Sequence, residues 1–301
     1  MNCGAKLPVF ALLTAAFFES HEALVLFGIT AVAWVGALLV AKLLRIPVIR
    51  GASTPFVMEL PPYRVLTLKG LLIHTGERTW QYIKRAGTVI LAISILLWAM
   101  MTFPQLSEEV QAQFEERRVA LLAAAPADIA AEIEAAEAKA AEGVELSTQA
   151  RTVKEELLTL ETEKAGAALE HAIAGRIGRA LEGAGRLAGF DWRTNIALVG
   201  GFAAKEVVVS TLGTAYSLGA VNPEESGSLA KKLAEAPGWR PLSAISLIIF
   251  TMFYAPCFVS VVCIAREAGS WRWGAFAMLF NTLFAFTLAV LVYQTGAALG
   301  F

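Results

Sequence analysis

The sequence predicts an all-α protein: a polytopic transmembrane helical bundle with discontinuous helices and an inserted soluble helical hairpin. Hydrophobic residues make up 56% of the 301-residue chain and charged residues only 17%, with a mean hydropathy of +0.59; soluble domains carry about 25% charged residues. The charge is also segregated. Residues 104–193 hold 17 of the 26 acidic and 10 of the 25 basic residues, so an acidic segment is set into a basic, apolar framework. Apolar runs of span length lie on both sides of that segment.

A hydrocarbon core about 30 Å thick needs roughly 20 helical apolar residues to cross it. Residues 23–41 meet that length without a charge, and residues 86–103 come close. Residues 7–18 are apolar but too short, which suits a half-helix. The link at 42–85 carries eight Lys or Arg residues against Glu59 and Glu77. The positive-inside rule places this link on the cytoplasmic side, and the segment following residue 103 outside. The end of the link, 71–85, alternates apolar residues with His74, Glu77, Arg78, Lys84 and Arg85, as in an interfacial amphipathic helix. Residues 1–103 thus form a first membrane segment.

Residues 104–165 are rich in Ala and Glu. Ile129, Ile133, Ala136 and Ala140 recur at helical spacing, as do Leu146, Ala150, Val153, Leu157 and Leu160. The two stripes predict short antiparallel helices outside the membrane. Residues 169–188 place Leu169, Ile173, Ile177, Leu181 and Ala184 on one side and arginines elsewhere, again an interfacial pattern. Together with this helix, gate-like membrane helices complete the third segment, 166–301. Residues 242–265 read as a span interrupted by Pro256, and 273–293 as the last span.

Within 195–218, Lys205 and Glu206 fall in the middle of a span. An ionisable residue in hydrocarbon costs at least ~2.5 kcal/mol on insertion scales. In a continuous helix, Glu206 shares a polar or small stripe with Ser210, Gly213 and Ser217, whereas Lys205 shares an apolar one with Val209, Leu212 and Tyr216. Glu206 therefore faces a polar path, and Lys205 must find a partner. The pair Gly200-Gly201 is placed to break the helix, as in transporters with discontinuous spans.

A second signal is Tyr254-Ala255-Pro256-Cys257. Proline removes a backbone donor and frees a carbonyl one turn earlier, and Cys257 sets a soft sulfur beside it. A third, Asn2-Cys3-Gly4-Ala5-Lys6-Leu7-Pro8, repeats the pairing of cysteine and proline at a helix start. Cys263 reads as packing, Glu19, His21 and Glu22 as a solvated loop, Glu59 as interfacial, and Asn281 as an interhelical hydrogen-bonding residue. The three cysteines are too few for a disulfide framework, and no basic stretch alternates with aromatics, which argues against a nucleic-acid partner. No phosphate-binding loop or dinucleotide fingerprint occurs, so the chain reads as a membrane component and not as an enzyme.

In order along the chain, Cys3-Gly4-Ala5-Lys6-Leu7-Pro8, Pro55-Phe56-Val57-Met58-Glu59-Leu60-Pro61-Pro62-Tyr63, Phe202-Ala203-Ala204-Lys205-Glu206-Val207 and Tyr254-Ala255-Pro256-Cys257 resemble the membrane domain of the ferrous iron transport protein B (FeoB) family. The resemblance covers nearly all the chain except 104–165. It implies a multi-pass protein of the bacterial inner membrane that moves Fe²⁺ as a transported ion, without a permanently bound cofactor. Metal-handling groups are then Cys3, Glu206 and Cys257, with Lys205, Ser210, Ser217 and Pro256 as pore or gating residues. It also implies a C-terminal half of the membrane domain, lacking the GTPase domain. GTP then enters only through a partner that supplies the GTPase-bearing half; a homo-oligomer within the lipid bilayer is a further expectation. Two readings from other classes stay open: a non-conducting scaffold whose arm at 104–165 docks partners, and a permease for organic solutes such as nucleosides.

Overall fold

The computed structural model describes residues 3–45, 67–126, 129, 148–203, 205, 207–216, 227–236 and 238–300. All its regular elements are helices. Three runs among the described residues are long and apolar enough to cross a membrane: Glu22–Arg45, Pro241–Glu267 and Trp271–Ala298.

The first helix, α1 (Leu7–Phe17), has Pro8 in its first turn, where a missing N–H costs nothing. At 11 residues it extends only ~16 Å, about half of a bilayer core. Its Val9, Phe10, Leu12 and Leu13 are almost fully buried, so α1 is a half-helix enclosed by the protein. The next helix, α2 (Glu22–Arg45), buries only Ile29 and Ala33 and turns Leu24, Phe27, Trp34 and Leu38 outward. A face like that is costly in water and suits lipid.

The third helix corrects the sequence reading. Residues 71–85 and 86–103 were expected as an interfacial helix followed by a span, but α3 (Leu68–Thr102) is one continuous helix of 35 residues. No proline falls within it, and ~52 Å of helix is long enough to cross the core and still carry its charged first half past the headgroups.

The inserted arm begins and ends at one place. Its helices α4 (Glu108–Ala124) and α5 (Thr148–His171) lie side by side, and the Ile173 N–H beyond the arm donates to the Phe103 carbonyl before it (2.9 Å). The expected stripe is the buried one: Ala150, Leu157 and Leu160 are 0–5% exposed. Ile133, Ala136, Ala140 and Leu146 lie outside the described residues. Two exposed ion pairs, Arg117–Glu163 (3.1 Å) and Lys164–Glu115 (2.6 Å), cross between the helices. The second helix continues past residue 165 to His171.

After the arm, α6 (Ile173–Ala180) packs on its small side. Ala174, Gly175 and Gly178 are buried, while Ile173 and Leu181 stay exposed on the apolar side expected to face the interface. A Cβ at Gly178 would come within 2.7 Å of the Ile196 side chain, so only glycine lets α7 (Trp192–Ala203) approach. Asp191 caps α7 by accepting from the Thr194 N–H (2.8 Å).

The expected span at 195–218 is instead a helical hairpin of α7 and α8 (Val207–Ala215). A Cβ at Gly200 would lie 3.2 Å from the Thr211 hydroxyl, although eleven residues of straight helix would separate them by ~16 Å. The chain therefore turns back on itself. Gly200 and Gly201 remain helical; they allow the close crossing and do not make the break.

Beyond α9 (Gly227–Glu235), the predicted interrupted span is present as α10 (Pro241–Phe253) and α11 (Phe258–Glu267). Both lie along α12 (Trp271–Ala298). The contact side of α12 is built of small residues: Gly274 meets Val261 and Ala265, Gly296 meets Leu242, and Ala285 and Ala289 are fully buried. Lipid tails offer helices no hydrophobic drive to associate, so close backbone packing supplies the attraction. The Ser246 hydroxyl adds hydrogen bonds to the carbonyls of Ala188 (2.7 Å) and Ala289 (3.2 Å).

The arm yields a pH prediction. The Lys164 ammonium, by hydrogen bond and by charge, holds the Glu115 carboxyl below its ordinary range. A carboxyl depressed in the folded state contributes stability above its unfolded value and loses it as the pH falls through the folded one. Amide exchange over 108–124 and 148–171 should therefore speed up as the pH drops below the usual carboxylate range, after correction for intrinsic rates. Lys164→Ala should remove most of that dependence.

Candidate functional site in the broken helices

Three interruptions of helix meet inside the bundle: the start of α1, the turn between α7 and α8, and the gap between α10 and α11. Cys3 caps the short turn Gly4–Lys6 that leads into α1, Lys205 precedes α8, and Cys257 caps α11. Lys6 and Lys205 are close enough to each other and to both thiols to interact electrostatically. Helix N-termini carry partial positive charge, so the site is rich in positive groups.

The gap at 254–257 follows from Pro256. In a regular helix, the N–H of residue 256 would donate to the Met252 carbonyl, and proline has none. That carbonyl is taken instead by the Lys6 ammonium, at 2.8 Å and 246 residues distant in sequence. Lys6 is only 7% exposed, and the bond satisfies a buried cation and a buried carbonyl together, either of which would be costly left unpaired.

Lys205 is held differently. It is 4% exposed, and its Nζ has no hydrogen-bond partner among the described residues. The ammonium lies over the Tyr254 ring, 3.1 Å from its centroid, a cation–π contact. Tyr254 in turn donates its hydroxyl to the Leu198 carbonyl (2.7 Å), stacks on Phe250 and meets Phe202 edge-on. The ring is thus fixed from three sides.

The predicted residues divide into groups. Cys3, Lys205, Pro256 and Cys257 come together at the breaks. Cys257 is half-buried, with Sγ 3.3 Å from the Ser260 hydroxyl, and Cys3 is exposed. Ser210 lies on the other side of α8, where it lines a cavity of about 780 Å³ with Ser94, Gln111, Lys164 and Thr214. Val209, Leu212 and Tyr216, placed on an apolar stripe by the sequence, are buried, but so is Gly213 of the other stripe. Lys205 lies in the turn before α8 and not on its face. Glu206, Ser217 and Glu59 lie outside the described residues. Among those described, no three His, Cys, Asp or Glu side chains gather; His21 faces the Ser20 hydroxyl instead (2.7 Å).

Two minor expectations are corrected. Cys263 is exposed on α11 and does not pack. Asn281 bonds the Ala277 carbonyl within its own helix (2.8 Å), because the i−4 carbonyl is the nearest acceptor a short amide reaches. Sequence reasoning missed Lys6 and Tyr254. The signal for Lys6 was available in principle, since Pro256 predicts an orphaned carbonyl that needs a donor.

This architecture defines a class: a helical membrane protein organised around enclosed half-helices. A family model described as "Nucleoside recognition", the Gate model, matches residues 83–271, and one described as "Ferrous iron transport protein B C terminus" matches residues 26–78. The chain is 34% identical to the Fe(2+) transporter FeoB of Helicobacter pylori, over 97% of this chain and 42% of that protein. It is 32% identical to the Fe(2+) transport protein A/Fe(2+) transporter FeoB fusion protein of Porphyromonas gingivalis, over 98% of this chain and 33% of that one. The Fe(2+) transporter FeoB of Campylobacter jejuni is 30% identical, over 96% and 39% respectively. The chain spans between a third and about two fifths of the length of these relatives. No solved structure matches. The chain belongs to the FeoB family.

Removing the Lys6 ammonium leaves a buried carbonyl unpaired, which costs about 1–3 kcal/mol. Lys6→Met should therefore lower the unfolding temperature of the purified protein in detergent, while Lys69→Met, on the exposed start of α3, should not. Equal melting of the two variants would show that the Lys6–Met252 bond carries no weight.

Proposed function

We propose that this chain forms part of the route by which Fe²⁺ crosses the bacterial inner membrane. The observation that carries the reading is that Cys3 and Cys257, each at a helix start, both lie within electrostatic range of Lys6 and Lys205, beside the chain break that Pro256 creates. Relatives bearing the name Fe(2+) transporter support it. Ferrous iron accepts both thiolate sulfur and backbone or carboxylate oxygen, so a thiol-flanked break suits an ion that trades its water shell for protein ligands. In this reading Cys3 and Cys257 are soft ligands and Glu206 is an oxygen ligand. Ser210 and Ser217 line the hydrated approach, with the cavity beside α8 as its vestibule. Pro256 keeps the helix open.

The division of the chain into 1–103, 104–165 and 166–301 goes with this reading: two membrane segments enclose the route, and the arm stands outside it. The remaining membrane helices and a GTPase domain come from a partner half, so energy from GTP reaches this chain only through that contact. A homo-oligomer in the bilayer is compatible with the lipid-facing sides of α2 and α12.

The description of the Gate model favours one second reading, a permease for a nucleoside-like solute. Radiolabelled iron uptake into proteoliposomes holding this chain and its partner half separates the two. Excess nucleoside should leave ⁵⁵Fe²⁺ entry unchanged. Cys3→Ser and Cys257→Ser should each slow it at least about tenfold, the loss that even outer partners of a metal ligand produce, and Glu206→Gln should slow it as well. Wild-type rates in all three variants would sink the proposal, and inhibition by nucleoside together with such rates would favour the solute.

A further inference from the structure

Two lysines are buried at the breaks, and only one has a structural task. Lys6 closes the Met252 carbonyl. Lys205, equally buried, has no hydrogen-bond acceptor among the described residues, and its ammonium rests on the Tyr254 ring. An ammonium that no described residue accepts from is a poor structural element, because each donor left unmet forfeits its hydration. It is, however, a good occupant of a place meant for a cation. The ring beneath it is held by one hydrogen bond and two aromatic contacts, and the ammonium reaches it from the turn before α8 on a flexible four-carbon stem.

We propose that Lys205 is a tethered cation which closes the route: its ammonium occupies the face of Tyr254, and an ion passes only when it leaves. The inference rests on the reading that a cation moves through these breaks, and it adds the residue that keeps them shut and selective. Lys205 and the two thiols lie within electrostatic range of each other. A dication arriving at Cys3 or Cys257 therefore repels the ammonium, and in a low-dielectric surrounding that repulsion is strong. Ligands that hold the ion firmly can drive the ammonium off the ring; an ion held weakly by sulfur cannot. Selection then comes from an exchange of one cation for another and does not need a pore matched to ionic size.

Passive metal entry into liposomes holding the full chain, alone and with the partner half, tests this. Lys205→Met keeps the stem and removes the charge. It should raise Mn²⁺ entry about tenfold or more, since one unit charge is taken out of a desolvated route, and Lys205→Arg should keep entry low. Tyr254→Leu retains the lysine and removes its seat, so it should also raise Mn²⁺ entry, while Tyr254→Phe, which keeps the ring, should raise it less. Where Lys205→Met does not assemble, Tyr254→Leu against Tyr254→Phe decides. Wild-type Mn²⁺ entry in Lys205→Met or Tyr254→Leu protein that elutes as folded overturns the gate. Absence of Fe²⁺ uptake by the wild-type pair, with Mn²⁺ entry raised in Lys205→Met, overturns the iron reading and leaves the gate standing.

Discussion

A carbonyl inside a bilayer must find a donor within the protein, and proline at position 256 takes away the donor that the Met252 carbonyl would have had in a regular helix. The arrangement at the site follows from how that loss is made good. Water is not at hand in hydrocarbon, and a neutral side chain would fill only one need. An ammonium also has to be satisfied if it is buried, so joining the two resolves both problems with a single bond. Because the donor is Lys6, the start of α1 is held at the gap between α10 and α11. The short α1 helix is thereby drawn into the interior, and Cys3, three residues earlier, comes within electrostatic range of the same two lysines as Cys257.

The surrounding helices make room for this in a consistent way. Where backbones must come close, the sequence supplies residues without bulk: Gly178 against α7, Gly200 and Gly201 against α8, and Gly274, Ala285, Ala289 and Gly296 along α12. Large apolar side chains on α2 and α3 point outward, where lipid receives them. Tight packing around the half-helices, with hydrogen bonds such as those of Ser246, takes the place of the hydrophobic drive that a soluble core would use. It also sets Tyr254 between Phe202, Phe250 and the Leu198 carbonyl, with its ring face toward Lys205.

Much of the fold was legible because lipid imposes a length on any crossing helix. The runs at 23–41 and 273–293, the interruption at Pro256 and the buried stripe Ala150–Leu157–Leu160 all follow from hydropathy and period. Two local signals misled. The charges at 74–85 suggested a separate interfacial helix, but nothing in 68–102 forbids helix, and a long helix can keep its charged part outside. Gly200-Gly201 looked like a breaker, whereas a glycine pair inside a helix serves equally to admit a neighbour, and only the returning α8 distinguishes the two roles. The site was half legible. Cys3, Lys205, Pro256 and Cys257 stood out as oddities of residue type, yet their meeting depends on Lys6, an ordinary basic residue near a helix start whose acceptor lies 246 residues away. Periodicity carries no information over that distance.

The two sides of α8 show why a hydrated approach and a closed barrier can coexist so near each other. Ser210 and Thr214 open onto the cavity beneath the arm, while Val209 and Leu212, one and two positions from Ser210, are sealed against the core, and Lys205 precedes the helix. A helix turns about 100° per residue, so adjacent positions divide water from packed interior without any further element. The field on the packed side is positive, from two ammonium groups and the starts of α8 and α11. A bare dication is unwelcome there; one already bound to thiolate carries less charge and is not. The positive surroundings therefore act on the ion according to its ligands, and a soft ion that binds sulfur firmly meets the smaller barrier.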